Sequence, residues 1–135
     1  MSLTPGGFVR VDGRRQNLYV SLRNIQDGYV PVRGEEVSCT VFTGRRGDEA
    51  GDLRPVRYTG AIRSWDTNVA YGFMKIDDPS YRGDLFVPIK NIRGYDYHTR
   101  TSEYVPHRRD RVECGRITRS VNGEQRFEAY DLVHM

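Results

Sequence analysis

The chain carries two copies of one sequence pattern, and this internal repeat constrains its fold more than any other feature. Three blocks recur in the same order, with turns of different length: residues 7–25 (GFVRVDGRRQNLYVSLRNI) with 72–92 (GFMKIDDPSYRGDLFVPIKNI), residues 29–41 (YVPVRGEEVSCTV) with 104–116 (YVPHRRDRVECGR), and residues 50–53 (AGDL) with 129–132 (AYDL). The repeat predicts two related domains, at residues 5–57 and 58–135.

Both copies contain runs that alternate with a period of two, which is typical of β-strands. In the second copy, Met74 and Ile76 alternate with Tyr71, Phe73 and Lys75. The turns that follow these runs contain the Gly, Pro and Asp residues that reverse a chain. No segment shows a sustained helical period. Short antiparallel strands at this spacing favour small closed barrels, so the sequence predicts an all-β protein with two small antiparallel β-barrels in tandem.

The two copies differ at their beginnings. The second copy opens with an additional segment at 59–71 (TGAIRSWDTNVAY), whose counterpart in the first copy would have to precede Gly6. The first barrel is therefore predicted to lack its first strand. Because unpaired strand edges recruit partners, we expect this open edge to accept preceding residues, a second copy of the chain in a homodimer, or a strand from another partner chain.

Net charge, apolar runs and the choice of basic residues limit which class of protein this chain belongs to. The 135 residues carry a net charge of +3, and no run approaches the roughly 18 apolar residues of a membrane span. We therefore expect a cytoplasmic protein without a membrane partner. Only Lys75 and Lys90 are lysines, and the other basic residues are all arginine, whose flat guanidinium stacks on bases and binds phosphate.

The segments at 60–78 (GAIRSWDTNVAYGFMKIDD) and 83–92 (GDLFVPIKNI) resemble a cold-shock domain, an oligonucleotide-binding (OB) barrel of five strands. The likeness covers residues 59–133 and rests on these matching positions: Gly60, Ile62, Arg63, Tyr71, Gly72, Phe73 and Asp84 to Val87. Trp65 lies one place after the tryptophan position of the family, and Pro88 replaces its histidine. The first copy resembles a divergent cold-shock domain that is truncated at its N-terminus.

The resemblance implies that the outward aromatic residues stack on the bases of single-stranded RNA or single-stranded DNA, because every base offers a flat π face. Arginines and lysines beside the rings would contact phosphates. The residues expected to bind nucleic acid are Arg63, Trp65, Tyr71, Phe73, Lys75, Phe86, Pro88, Lys90, Tyr95 and Tyr97. A weaker site is expected at Phe8, Arg10 and Tyr19 in the first copy.

Other interpretations of the aromatic residues stay open. Paired rings stabilise sheets without any ligand, so the same side chains are consistent with cross-strand packing alone. The same apolar face would also suit a protein–protein interaction module. A further alternative is that the two barrels form the RNA-receiving portion of a larger nuclease.

The sequence offers little support for catalysis or metal binding. Cys39 and Cys114 occupy equivalent positions in the two copies, which favours a recurring small core residue over a disulfide. The three histidines, His98, His107 and His134, lack the spacing of a zinc site. With no nucleophile beside a base, we expect a protein that is not an enzyme and that uses no cofactor or metal.

Overall fold

The computed structural model describes the backbone of residues 2–4 and the full residues 7–45 and 47–135. The chain divides into two compact units, Met1–Val56 and Arg57–Met135, here called the first and the second unit. Both consist of β-strands with one short 3₁₀ helix each, at Leu22–Asn24 and Ile89–Asn91. The predicted all-β class is confirmed. Within the described residues, no helix is long and apolar enough to cross a membrane.

Within the described residues, each unit contains five strands. Those of the first unit are β1 (Ser2–Thr4), β2 (Phe8–Arg10), β3 (Leu18–Val20), β4 (Val37–Gly44) and β5 (Gly47–Pro55). Those of the second unit are β6 (Tyr58–Asp66), β7 (Tyr71–Ile76), β8 (Leu85–Pro88), β9 (Arg111–Val121) and β10 (Glu124–His134).

The second unit is a closed barrel with the strand order β10-β8-β7-β6-β9. Strand β6 closes it, because Tyr58–Ala61 pairs with β9 while the segment from Gly60 to Asp66 pairs with β7. The pairs are antiparallel except for β8 with β10, which run parallel at Phe86 and Glu128. This arrangement of five short strands is that of an OB-like barrel.

The first unit has the equivalent strand order, β1-β2-β3-β5-β4, but forms an open sheet. The prediction that its first strand is missing needs correction, since β1 pairs antiparallel with β2 from Ser2 to Thr4. Within the described residues β1 pairs with β2 alone, so the sheet there is open where a closed barrel was expected.

The two units share backbone details at matching sequence positions. Asp52 and Asp131 both adopt a φ of 50°, and each lies beside an irregularity in the register of its hairpin. The bridge between Ile25 and Leu53 likewise has a counterpart in the bridge between Ile92 and Leu132. The aligned sequence blocks thus adopt similar local structure in the two units.

Each unit has its own hydrophobic core. The core of the second unit is the larger: Ile62, Met74, Ile76, Leu85, Val87, Ile92, Val112, Cys114, Ala129 and Leu132. The core of the first unit comprises Val9, Leu18, Val20, Val37, Ala50 and Leu53, with the partly buried Cys39 packed against it. The two cysteines therefore lie in separate cores, in keeping with the interpretation of a recurring small residue.

Candidate functional site

Three aromatic rings form a cluster on the outer face of the second barrel. The alternation of β7 buries Gly72, Met74 and Ile76 and exposes the residues between them. Tyr71 and Phe73 are 41% and 39% exposed, and Phe86 of β8 is half-buried beside them. The ring centroids lie 6.4 Å apart for Tyr71 and Phe73, 5.2 Å for Tyr71 and Phe86, and 5.8 Å for Phe73 and Phe86. We call these residues the aromatic triad.

The strand register explains why the triad forms. Phe73 lies opposite Phe86, and Tyr71 lies opposite Pro88, on the antiparallel pair β7 and β8. Facing side chains on one side of such a pair are close enough to pack, and an aromatic pair contributes roughly 0.2–1 kcal/mol. Pro88 is buried at this end of β8. In the edge-to-face contacts of the triad the edge of one ring meets the face of another, yet much of Tyr71 and Phe73 stays open to solvent.

Predicted basic residues lie at exposed positions of the same unit. Lys75 follows Phe73 on the outward side of β7, and Lys90 lies in the 3₁₀ helix after β8. Arg63 is exposed and forms an ion pair with Asp84 at 3.5 Å. A solvent-exposed pair of this kind holds an arginine only weakly, so its guanidinium stays available to a phosphate.

A buried carboxylate lies beside the aromatic triad. Glu128 is the register partner of Phe86, and it is fully buried. Its Oε1 accepts hydrogen bonds from Asn91 Nδ2 and Arg119 Nε, both at 3.1 Å. Its Oε2 accepts from Nε and Nη2 of Arg126 at 3.0 and 2.7 Å. Every lone-pair direction of this buried charge is thus used, as its desolvation requires.

Trp65 occupies a different part of the unit from the triad. The register of β6 shifts between Ile62 and Ser64, which places Ser64 opposite Phe73 and Trp65 opposite Gly72. Trp65 therefore lies on the core side of the pleat, where it packs against the hydrophobic core. A Cβ on Gly72 would lie 2.0 Å from the Ser64 carbonyl oxygen, so the close approach of the two strands requires glycine.

An open groove of about 440 Å³ lies next to Trp65. Its walls combine an aromatic ring, basic side chains and part of the loop before β9: Arg63, Ser64, Trp65, Thr67, Val105, Pro106, His107 and Arg108. Trp65 and Arg63, both predicted to bind nucleic acid, thus both line this groove.

Hydrogen bonds and ring stacking anchor the loop that forms one wall of the groove. The Tyr104 hydroxyl donates to Asp110 at 2.7 Å, and its ring stacks on His134 with centroids 4.5 Å apart. Burial, together with the bond to Asp110, raises the pKa of Tyr104. The same bond lowers the pKa of Asp110, so the carboxylate is the stable acceptor. The wall formed by this loop is therefore held in place without a ligand.

The remaining predicted residues of the second unit lie in the loop after the 3₁₀ helix. Tyr95 and Tyr97 contact one another edge to face with centroids 4.8 Å apart, and Tyr97 is strongly exposed. The bridge between Asp96 and Thr101 closes this loop. The rings form a separate aromatic pair, and the ring contacts of the described residues do not join them to the triad.

The first unit repeats part of the site. Phe8 lies opposite Tyr19, and their ring centroids are 6.0 Å apart. Arg10 is exposed two residues after Phe8 on β2. Gly6, which aligns with Tyr71 in the sequence, lies outside the described residues. The described face of the first unit therefore presents a ring pair where the second unit presents three rings.

Sequence reasoning missed Arg119, Arg126 and Glu128, which lie beside the triad. The repeat contained one usable signal, because Glu49 precedes Ala50 in the first copy as Glu128 precedes Ala129 in the second. The parallel register pairs Tyr19 with Glu49 just as it pairs Phe86 with Glu128. A glutamate that recurs at the same position of both copies would have pointed to β10 as part of the site.

The described residues contain no group of three or more histidine, cysteine or acidic side chains arranged to hold a metal ion. His107 lies within 3.8 Å of Asp110, and His134 stacks on Tyr104. Burial raises the pKa of the Cys114 thiol to about 12, so it stays protonated in the core.

The chain was compared with family models, curated sequences and solved structures. It matches no family model, and it matches no curated protein sequence. Among solved structures it is similar to one titled drosophila Unr CSD456, with a TM-score of 0.43 and 17% sequence identity. That match covers 89% of this chain and 49% of the other, so the chain spans about half the length of the structure it resembles.

Proposed function

We propose that the chain binds single-stranded nucleic acid on the outer face of the second unit, with RNA as the main ligand and DNA as the second choice. The observation that carries this proposal is the aromatic triad, three partly open rings with centroids 5.2 to 6.4 Å apart. Stacking of a base on such a ring contributes about 1–3 kcal/mol and tolerates most sequences. The role proposed is binding without catalysis.

Basic side chains would bind the phosphates of the bound strand. Lys75 is exposed next to the triad along β7, and Lys90 is exposed just after β8. Each phosphate contact releases counterions, so the affinity for a single strand falls as salt rises. We propose Arg63 and Trp65 as contacts for a part of the strand that enters the groove beside Trp65.

RNA is the first choice because proteins that recognise single-stranded RNA commonly stack its splayed-out, unpaired bases on aromatic side chains. The triad itself accepts the bases of DNA equally well. Parallel titrations with oligo-U and oligo-dT of equal length therefore form part of the test.

A second candidate function concerns the first unit, which we propose as a protein-binding surface. Its sheet is open, and Val41 and Phe42 on β4 are 44% and 41% exposed. Exposed apolar residues on a sheet strand are typical of surfaces that pair with another chain. A partner chain or a second copy of this chain would fit this surface.

The test of nucleic-acid binding compares the wild type with Tyr71→Ala and Phe86→Ala by fluorescence anisotropy of labelled oligo-U and oligo-dT at two salt concentrations. Each substitution is expected to weaken binding about five-fold or more, because Tyr71→Ala removes a stacking surface and Phe86→Ala removes the ring against which Tyr71 and Phe73 pack. Phe127→Ala is a matched control, since Phe127 is 41% exposed like Tyr71 but lies outside the triad. Unchanged affinity in both triad variants would show that the strand binds elsewhere.

A further inference from the structure

The guanidinium of Arg126 covers Phe86, one of the three rings of the triad. Its central carbon lies 4.4 Å from the centroid of the Phe86 ring. At this distance a guanidinium lies over the face of the ring in a cation–π contact. A base approaching Phe86 from solvent would therefore meet the guanidinium before it met the ring.

Glu128 holds this guanidinium in place. Two nitrogens of Arg126 donate to the same carboxylate oxygen, at 3.0 and 2.7 Å. The carboxylate is itself fixed, because it is fully buried and its other oxygen accepts from Asn91 and Arg119. Side chains bound to a buried, fully paired charge have little freedom to turn away. The Arg126 side chain keeps 45% of its surface exposed, so its outer side remains open.

From this arrangement we infer that Arg126 is a fourth stacking surface of the site. An unpaired base stacks on the outer face of its guanidinium, Phe86 supports that guanidinium from beneath, and Glu128 is the positioning residue. The flat guanidinium of arginine stacks on bases as an aromatic ring does, and it also carries a positive charge. Lysine carries the same charge but has no flat group that could stack. This inference rests on the proposed function, because it assigns a contact within the same nucleic-acid site.

The test uses Arg126→Lys and Arg126→Ala in the full chain, with labelled oligo-U as the probe. Lysine keeps a charge beside Glu128, so Arg126→Lys preserves the fold while it removes the flat guanidinium. We expect Arg126→Lys to bind about five-fold or more weakly, with the slope of affinity against salt unchanged. Arg111→Lys is the matched control, because Arg111 also pairs with a carboxylate, that of Asp77, and is similarly exposed; its affinity should equal that of the wild type.

Two results would overturn the inference. Equal affinity of Arg126→Lys and the wild type would mean that only the charge matters, and tighter binding by Arg126→Ala would mean that the arginine merely shields Phe86. If either result appears while Tyr71→Ala still loses affinity, the proposed function stands and only the role of Arg126 fails. If the wild type binds no single strand, the proposed function fails, and this inference fails with it.

Discussion

Phe73 lies directly opposite Phe86 on adjacent antiparallel strands, with ring centroids 5.8 Å apart. Phe8 and Tyr19 repeat this relationship in the first unit at 6.0 Å. The ring pair is thus a shared feature of the two hairpins. In the second unit Tyr71 and Arg126 also contact Phe86 of this pair, whereas the sequence of the first unit has Gly6 at the position of Tyr71.

This difference predicts unequal contributions of the two units to binding. Phe73→Ala is expected to lower the affinity for oligo-U about five-fold or more, because a stacked ring is removed from the triad. Phe8→Ala removes the matching ring of the first unit and is expected to have a smaller effect. Titration of both variants under identical salt conditions checks this ranking, and a larger loss for Phe8→Ala would reverse the assignment of the main site.

The buried carboxylate predicts a large effect on stability. Glu128→Ala leaves Arg119 and Arg126 without their shared acceptor and is expected to cost about 3 kcal/mol of the free energy of unfolding of the second unit. Urea denaturation followed by the fluorescence of Trp65, the single tryptophan, measures this loss. Glu124→Ala on the same strand is the control, since Glu124 is exposed. A loss below about 1 kcal/mol, as for an exposed ion pair, would contradict the account of Glu128.

The two thiols are predicted to react at different rates in the folded protein. Burial raises the pKa of Cys114 to about 12, and it raises that of the partly buried Cys39 as well. The thiolate is the reactive form, and Cys114 is also fully enclosed. Alkylation with iodoacetamide at pH 8, followed by mass spectrometry, should modify Cys39 first and Cys114 only on unfolding. Equal rates in the native state would show that the core of the second unit opens readily.

The second unit should lose stability in acid through Asp77. Hydrogen bonds from Arg111 and then from Thr59 lower the pKa of this carboxyl to about 2 from its ordinary value of 3.8. The pKa of Asp77 is lower in the folded than in the unfolded protein, so the ionised carboxylate stabilises the fold. This stabilisation is complete above the unfolded pKa and is lost as the pH falls from about 4 towards 2. Asp77→Asn should flatten the pH dependence of the denaturation midpoint in this window. An identical profile in wild type and variant would mean that the pair contributes nothing to folding.

Much of the fold follows from local sequence patterns. The alternation of β7 in Tyr71 to Ile76 predicts which side chains face the core, and the buried and exposed positions agree with it. The outward positions of Tyr71 and Phe73 follow from the same pattern. Period-two alternation fixes these positions because successive side chains of a strand point to opposite faces.

Other features depend on pairings that a single sequence does not reveal. The register shift at Ile62 and Ser64 turns Trp65 away from the triad, and a bulge has no clear signal in the side chains around it. The contact of Arg126 with Phe86 joins strands that are 40 residues apart in the chain and requires the parallel register of β8 and β10. The open sheet that the described residues of the first unit form likewise depends on strand pairing.

Intermolecular nuclear Overhauser effects detect directly whether bases stack on the aromatic triad. The protein, with its aromatic residues isotopically labelled, is mixed with an unlabelled oligo-U long enough to cover one barrel. We expect contacts from the ring protons of Tyr71 and Phe73 to base and ribose protons, with none from Phe127. Contacts confined to other aromatic residues, with the triad signals unshifted at saturation, would show that the bases do not stack on the triad.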